Sequence, residues 1–213
     1  MQKQIRILEK IVGQLKQQLN IHSIAVIGSV AYGAATDDSD LDLLVLCDRD
    51  EFVSETIDGV WVETHFHQYD ILQNRLNSTP TEVYKYLYSK TLHDDGSLAR
   101  LVSIAKELYQ NYRTPEKELA NIRYWLSSTR SKLHSKRNQN DAVGMAYLLS
   151  TNTWKVLEGL YAINNRPMPP SSLAYHLRDT LCVAMEHWFE KMVMGEIPAR
   201  VETMLGLIDL ICQ

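Results

Sequence analysis

No stretch of this chain is apolar for the ~18 residues that a helical bilayer crossing needs, which argues against a membrane-spanning helix. The opening MQKQIRILEK is polar and lacks the apolar core of a secretion signal. Cysteine is scarce. Cys47, Cys182 and Cys212 are odd in number, widely spaced and never in a C-x-x-C pair, which excludes a disulfide framework and a structural zinc site. Reduced thiols and a cytoplasmic setting are the expectation. An excess of positive charge is missing too: 22 basic against 26 acidic residues leave a net charge of −4. Nucleic acid is therefore not an expected partner, and any phosphate must be gripped by a local cluster. Internal repeats and low-complexity segments are also absent.

What is present suits a globular protein: 213 residues, 45% apolar and 23% charged, enough for one domain or two small ones. Ile5, Leu8, Val12, Leu15 and Leu19 recur at three- and four-residue steps and predict an amphipathic helix over 3–20. SIAVIG reads as a buried strand meeting a turn at Gly28, and a loop of small and acidic residues then runs to Ser39. LDLLVLCD is a second strand, followed by a polar stretch. In GVWVETHFH, Val60, Val62, Thr64 and Phe66 alternate with Trp61, Glu63, His65 and His67, which puts the two sets on opposite faces of a third strand. Short helices are expected over 68–76 and 80–88, then a short strand in KTLHDDG and a helix in SLARLVSIAKELYQ. Beyond Asn111–Pro115 the periodicity is helical throughout. Helices are expected near 115–136, 141–164, 171–194 and 197–212, broken by RNQND, NNRPMPPS and GEIP. The pattern predicts an α/β (α+β) chain with domains at 1–112 and 113–213.

The stretch that carries chemistry is GSVAYGAATDDSDLDLLVL, residues 28–46. Asp40 and Asp42 flank Leu41 at the start of a strand, where residues two apart point the same way. Two carboxylates on one face repel each other, and a divalent cation between them relieves the repulsion. Oxygen donors of this kind suit magnesium. The Gly28-Ser29 turn offers backbone N–H groups and a hydroxyl to a phosphate. Asp-x-Asp alone reads as a solvated strand end, and Gly-Ser alone is equally bland. Together, between two apolar strands, they point to phosphate chemistry.

With those residues in view, the chain resembles the DNA polymerase β-like nucleotidyltransferase superfamily, whose signature is Gly-Ser, a gap, then an acidic–apolar–acidic triplet. Gly33 and Ser39 fit a common form of that motif, and Glu63 in VWVETHF fits the family's third carboxylate. The later part, from LHDDGSLARLVSIAKELY through RNQNDAVGMAYLLSTNTWKVLEGLYAINNRPMPPS, is similar to bacterial proteins related to aminoglycoside nucleotidyltransferases. The resemblance implies a short mixed β-sheet core with a C-terminal helical bundle that binds the acceptor. It implies transfer of a nucleoside monophosphate, AMP from ATP in the first instance, to a hydroxyl of a small molecule such as an aminoglycoside. Asp40, Asp42 and Glu63 would hold two Mg2+ ions, and Gly28, Ser29 and Ser39 would meet the triphosphate. A homodimer is a further implication. Asp141, at the start of a long helix, would take the acceptor's proton; its bland role is to cap that helix.

Other residues are weighed beside these. The run RSKLHSKR, residues 130–137, offers Arg137 to the triphosphate, against a solvated helix end. His65 reads as a hydrogen-bonded strand histidine before a metal ligand, and Trp61 as packing. Rival functions are an adenylyltransferase acting on protein or RNA, and a catalytically inactive nucleotide-binding module. An intact carboxylate triad speaks against the second.

Overall fold

The computed structural model describes residues 2–18 and 20–213; Leu19, the last apolar position of the expected first helix, lies outside the described residues. The fold is a mixed α/β core with a set of C-terminal helices, as expected from the pattern. It divides into two compact units, Met1–Asn111 and Tyr112–Gln213.

The first unit is built on a five-stranded sheet. Its strands are β1 (Ile21–Ile27), β2 (Leu41–Cys47), β3 (Glu51–Ile57), β4 (Val60–His67) and β5 (Lys90–Asp94), in the order β3-β4-β2-β1-β5. β2 runs parallel to β4, and the other pairings are antiparallel. Helix α1 (Gln2–Leu15) covers one face: Ile7 packs with Val26, Leu41, Leu43, Val60 and Val62, and Leu15 with Ile24, Val45 and Phe66. The other face carries Ala25, Leu44 and Leu46, also buried. Helices α2 (Gly28–Tyr32), α3 (Tyr69–Ser78), α4 (Val83–Leu87) and α5 (Ser97–Asn111) complete the unit, with α5 packed on β1 and β5. Two details depart from the sequence expectation. The polar stretch after β2 contains the edge strand β3, and Gly28 opens a short helix where a loop was expected. A strand at an edge has one side in water, so its polar residues hide the pattern that betrays a buried strand.

In the second unit α6 (Glu116–Asn138), α7 (Ala142–Ile163) and α10 (Ile197–Cys212) form the core, closing on Leu126, Leu133, Leu149, Val156, Leu160, Ile208 and Ile211. Gly159 makes room for Ile211, whose Cδ1 would stand 2.7 Å from an added Cβ. The helix expected over 171–194 is instead two pieces, α8 (Ser171–Leu177) and α9 (Trp188–Met194). The Thr180 hydroxyl donates to the Leu177 carbonyl at 2.7 Å, and the chain is already extended at Leu181. A β-branched hydroxyl residue bonding back to its own turn competes with helix propagation. Leu181, Val183 and Met185 then pack onto the core from the non-helical segment.

Candidate metal and phosphate site

The register of the sheet assembles the site. Ile27 at the end of β1 lies opposite Asp42, and Asp42 in turn pairs with Glu63 across the parallel β2–β4 ladder. Both carboxylates therefore leave the same face of the sheet, side by side. The chain turns immediately after Ile27 at Gly28, whose φ is +65°. A Cβ there would stand 2.0 Å from Oδ2 of Asp42, so both the turn and the close approach of the carboxylate require glycine. Gly33, with φ +81°, ends the five-residue helix that follows. Inside that helix the Ser29 hydroxyl is buried and has no hydrogen-bond partner among the described residues.

Asp42 is half-buried, and no hydrogen bond from the described residues reaches its carboxylate. Burial, then the charges of Asp40 and Glu63, push its pKa up from 3.8 to about 6. A carboxylate this poorly compensated, with two more acids within electrostatic reach, is what a cation would relieve. Asp40 itself is exposed and sits one residue before β2 begins. Glu63 accepts at Oε1 from the Trp61 indole N–H at 3.0 Å, which leaves Oε2 toward His65 Nε2 at 3.9 Å. Ligand atoms of Asp42, Glu63 and His65 lie within 4.8 Å of one another. Burial and then the nearby Lys85 ammonium hold the His65 imidazole below its usual pKa. His67, next along the face, is engaged at both ring nitrogens, by Asp50 and by Arg75 Nη1 at 3.2 Å.

The loop that presents Asp40 is fastened from α1. The fully buried Gln4 donates from Nε2 to the carbonyls of Thr36 at 3.0 Å, Asp37 at 3.1 Å and Ser39 at 3.1 Å. The Ser39 hydroxyl accepts from the Thr36 backbone N–H at 2.8 Å and so serves the same loop. Gln4 and the orienting bond from Trp61 escaped the sequence reading. One signal existed: Gln4 is a polar residue on the buried stripe that continues through Ile7, Ile11 and Leu15. Its partners, being backbone carbonyls more than thirty residues away, left no trace in residue type.

The remaining candidates belong to the second unit. Arg137 pairs with Glu202 of α10 at 2.5 Å. Asp141 caps α7: one oxygen accepts from the Gly144 N–H at 2.8 Å and the other pairs with Lys136 at 2.8 Å, which lowers its pKa. A cleft of about 620 Å³ opens between α6 and α7, with Tyr112, Glu118, Trp125, Lys155, Glu158 and Arg166 among its walls.

A family model described as a nucleotidyltransferase domain matches residues 5–142. No curated protein matches the chain in sequence. Among the solved structures that are similar at low identity are these two. One is a nucleotidyltransferase-like protein from Exiguobacterium sibiricum 255-15, 13% identical over 96% of this chain and 73% of its own, with a TM-score of 0.44. The other is spectinomycin adenyltransferase AAD(9) from Enterococcus faecialis, solved with ATP and spectinomycin. It is 11% identical over 98% of this chain and 99% of its own, with a TM-score of 0.33. Superpositions this loose say nothing of substrate.

Proposed function

The chain belongs to the nucleotidyltransferase domain family, within the DNA polymerase β-like superfamily, and from that premise we propose that it moves a nucleoside monophosphate from a nucleoside triphosphate to a hydroxyl of a small-molecule acceptor. The observation that carries this reading is Asp42: a half-buried carboxylate with no donor among the described residues, pressed against the Gly28 turn and paired in register with Glu63. The donor set fits a divalent cation, with Asp42 and Glu63 on one face and Asp40 in electrostatic reach. Bound there, the ion would neutralise charge on the triphosphate and on the attacking oxygen.

The protein's own groups supply positioning. The Ser29 hydroxyl, buried without a partner among the described residues, is offered to a phosphate oxygen along with the N–H groups of the Gly28 turn. Gln4 fixes the loop before Asp40, and Trp61 fixes the rotamer of Glu63, so both carboxylates are held before substrate arrives. A small-molecule acceptor is supported by the cleft between α6 and α7, whose volume falls in the ~300–1,000 Å³ range of such sites. Its walls combine aromatic rings with charges of both signs, the mixture that holds a polyhydroxylated or amine-bearing molecule.

The test is a pyrophosphate-release screen of four nucleoside triphosphates against hydroxyl-bearing acceptors, aminoglycosides included. Metal-dependent release is expected for at least one pair, and none from Asp42→Asn. Release that persists in that variant, or that ignores the removal of divalent metal, would overturn the reading.

A further inference from the structure

Resting on the cation reading of this site, we propose that His65 is a protein ligand to the ion beside Asp42 and Glu63, and that the site therefore takes a first-row transition-metal cation such as Mn2+ in preference to Mg2+.

The first observation is one of reach. Two ligands about 2.0–2.2 Å from one ion can be at most about 4.4 Å apart. The Asp42, Glu63 and His65 donor atoms already lie within 4.8 Å, so small side-chain rotations bring all three onto one centre. The second is availability. Three histidines of the first unit stand beside carboxylates, and two of them are spent. His22 is held between Asp48 at 3.0 Å and Asp95 at 3.2 Å. His67 is held between Asp50 and Arg75. His65 makes no hydrogen bond with the described residues. It keeps a ring nitrogen 3.9 Å from Glu63 Oε2, too long for a hydrogen bond and suited to a shared ion. The third is rigidity. The His65 ring packs on Phe52, with centroids 4.9 Å apart, and stacks on His67 at 6.3 Å, so its face toward the carboxylates is set by neighbours.

The chemical consequence follows from ligand preference. Magnesium is a hard ion that keeps oxygen ligands and several waters. Imidazole is a better partner for first-row transition metals. A carboxylate pair alone would leave magnesium and manganese on similar terms, and adding His65 tips the site toward the latter.

The test uses the full chain with Mn2+ alone and Mg2+ alone. Pulsed electron paramagnetic resonance of the Mn2+-loaded wild type should show nitrogen coupling from one directly bound imidazole; calorimetry should give tighter binding of Mn2+ than of Mg2+. His65→Gln should abolish the nitrogen coupling and weaken Mn2+ about tenfold or more, while Mg2+ affinity changes less than about twofold. Bound Mn2+ without nitrogen coupling overturns the proposal using wild-type protein only, whatever the variant's folding. Equal losses for both ions overturn it as well. Failure of both ions to bind the wild type is a different result, since it contradicts the cation site itself.

Discussion

Asp42 is where burial, charge and backbone geometry meet, and its energetics can be read without any substrate. Because its pKa is raised to about 6 in the fold, the folded metal-free protein holds a proton there more tightly than the unfolded chain does. Its contribution to stability is thus fully present below pH ~4 and is lost as pH rises through 6, a change on the order of 1–2 kcal/mol for a half-buried group screened by solvent. Metal-free protein should therefore gain melting temperature between pH 7 and pH 5, and Asp42→Asn should flatten that gain while raising stability at pH 7. A wild-type profile with no such rise would mean that the carboxylate is compensated in solution. Asp141 poses the opposite case. Its two oxygens are already taken by Gly144 and Lys136, and asparagine caps a helix about as well as aspartate. Asp141→Asn should leave kcat within a few-fold of wild type. A fall of roughly 10²–10⁴ with unchanged nucleotide binding would instead make Asp141 the base; with Asp141 cleared, Glu118 and Glu158 in the cleft are the next to test.

Among the elements, the decisive arrangement is α1 reaching across to the loop before β2. Removing the side-chain amide of Gln4 with Gln4→Met keeps the buried volume but frees the carbonyls of residues 36, 37 and 39, which share its two N–H groups. Thr36 and Asp37 are exposed and Ser39 half-buried, so the expected stability loss is only about 1 kcal/mol. Turnover should fall more than triphosphate affinity, because Asp40 is the next residue along; an unchanged kcat would show that the loop needs no tether. The elements also show what a sequence can disclose. β2 and β4 were legible because their residues alternate or run apolar, and the same alternation put Glu63 on the face it shares with Asp42. β3 was not, since an edge strand with Glu51, Ser54 and Glu55 in water has no apolar period. The break at 181–187 was hidden because Leu177, Leu181, Met185 and Trp188 keep a helical spacing of four, four and three, yet Leu181 and Met185 reach the core without a helix. Partnerships that span the chain, Gln4 with residues 36–39 and Arg137 with Glu202, leave no local signature.

Taken whole, the protein carries a net charge of −4 and gathers three acids where a polyanionic triphosphate would bind. Nucleotide without metal should bind poorly, since like charges oppose it, and metal without nucleotide lacks the phosphate oxygens that complete its shell. Under the proposed function metal and nucleotide occupy one site around Asp42, and the melting temperature tests this without knowledge of the acceptor. Ligand binding to the native state stabilises by about 2.7 kcal/mol at a hundredfold excess over Kd. Thermal unfolding should be followed with divalent metal alone, ATP alone and both together, in wild type and in Asp42→Asn. The combined shift in the wild type is expected to exceed the sum of the separate shifts, and this excess to vanish in Asp42→Asn. A strictly additive response, or an excess that survives the substitution, would contradict the shared site.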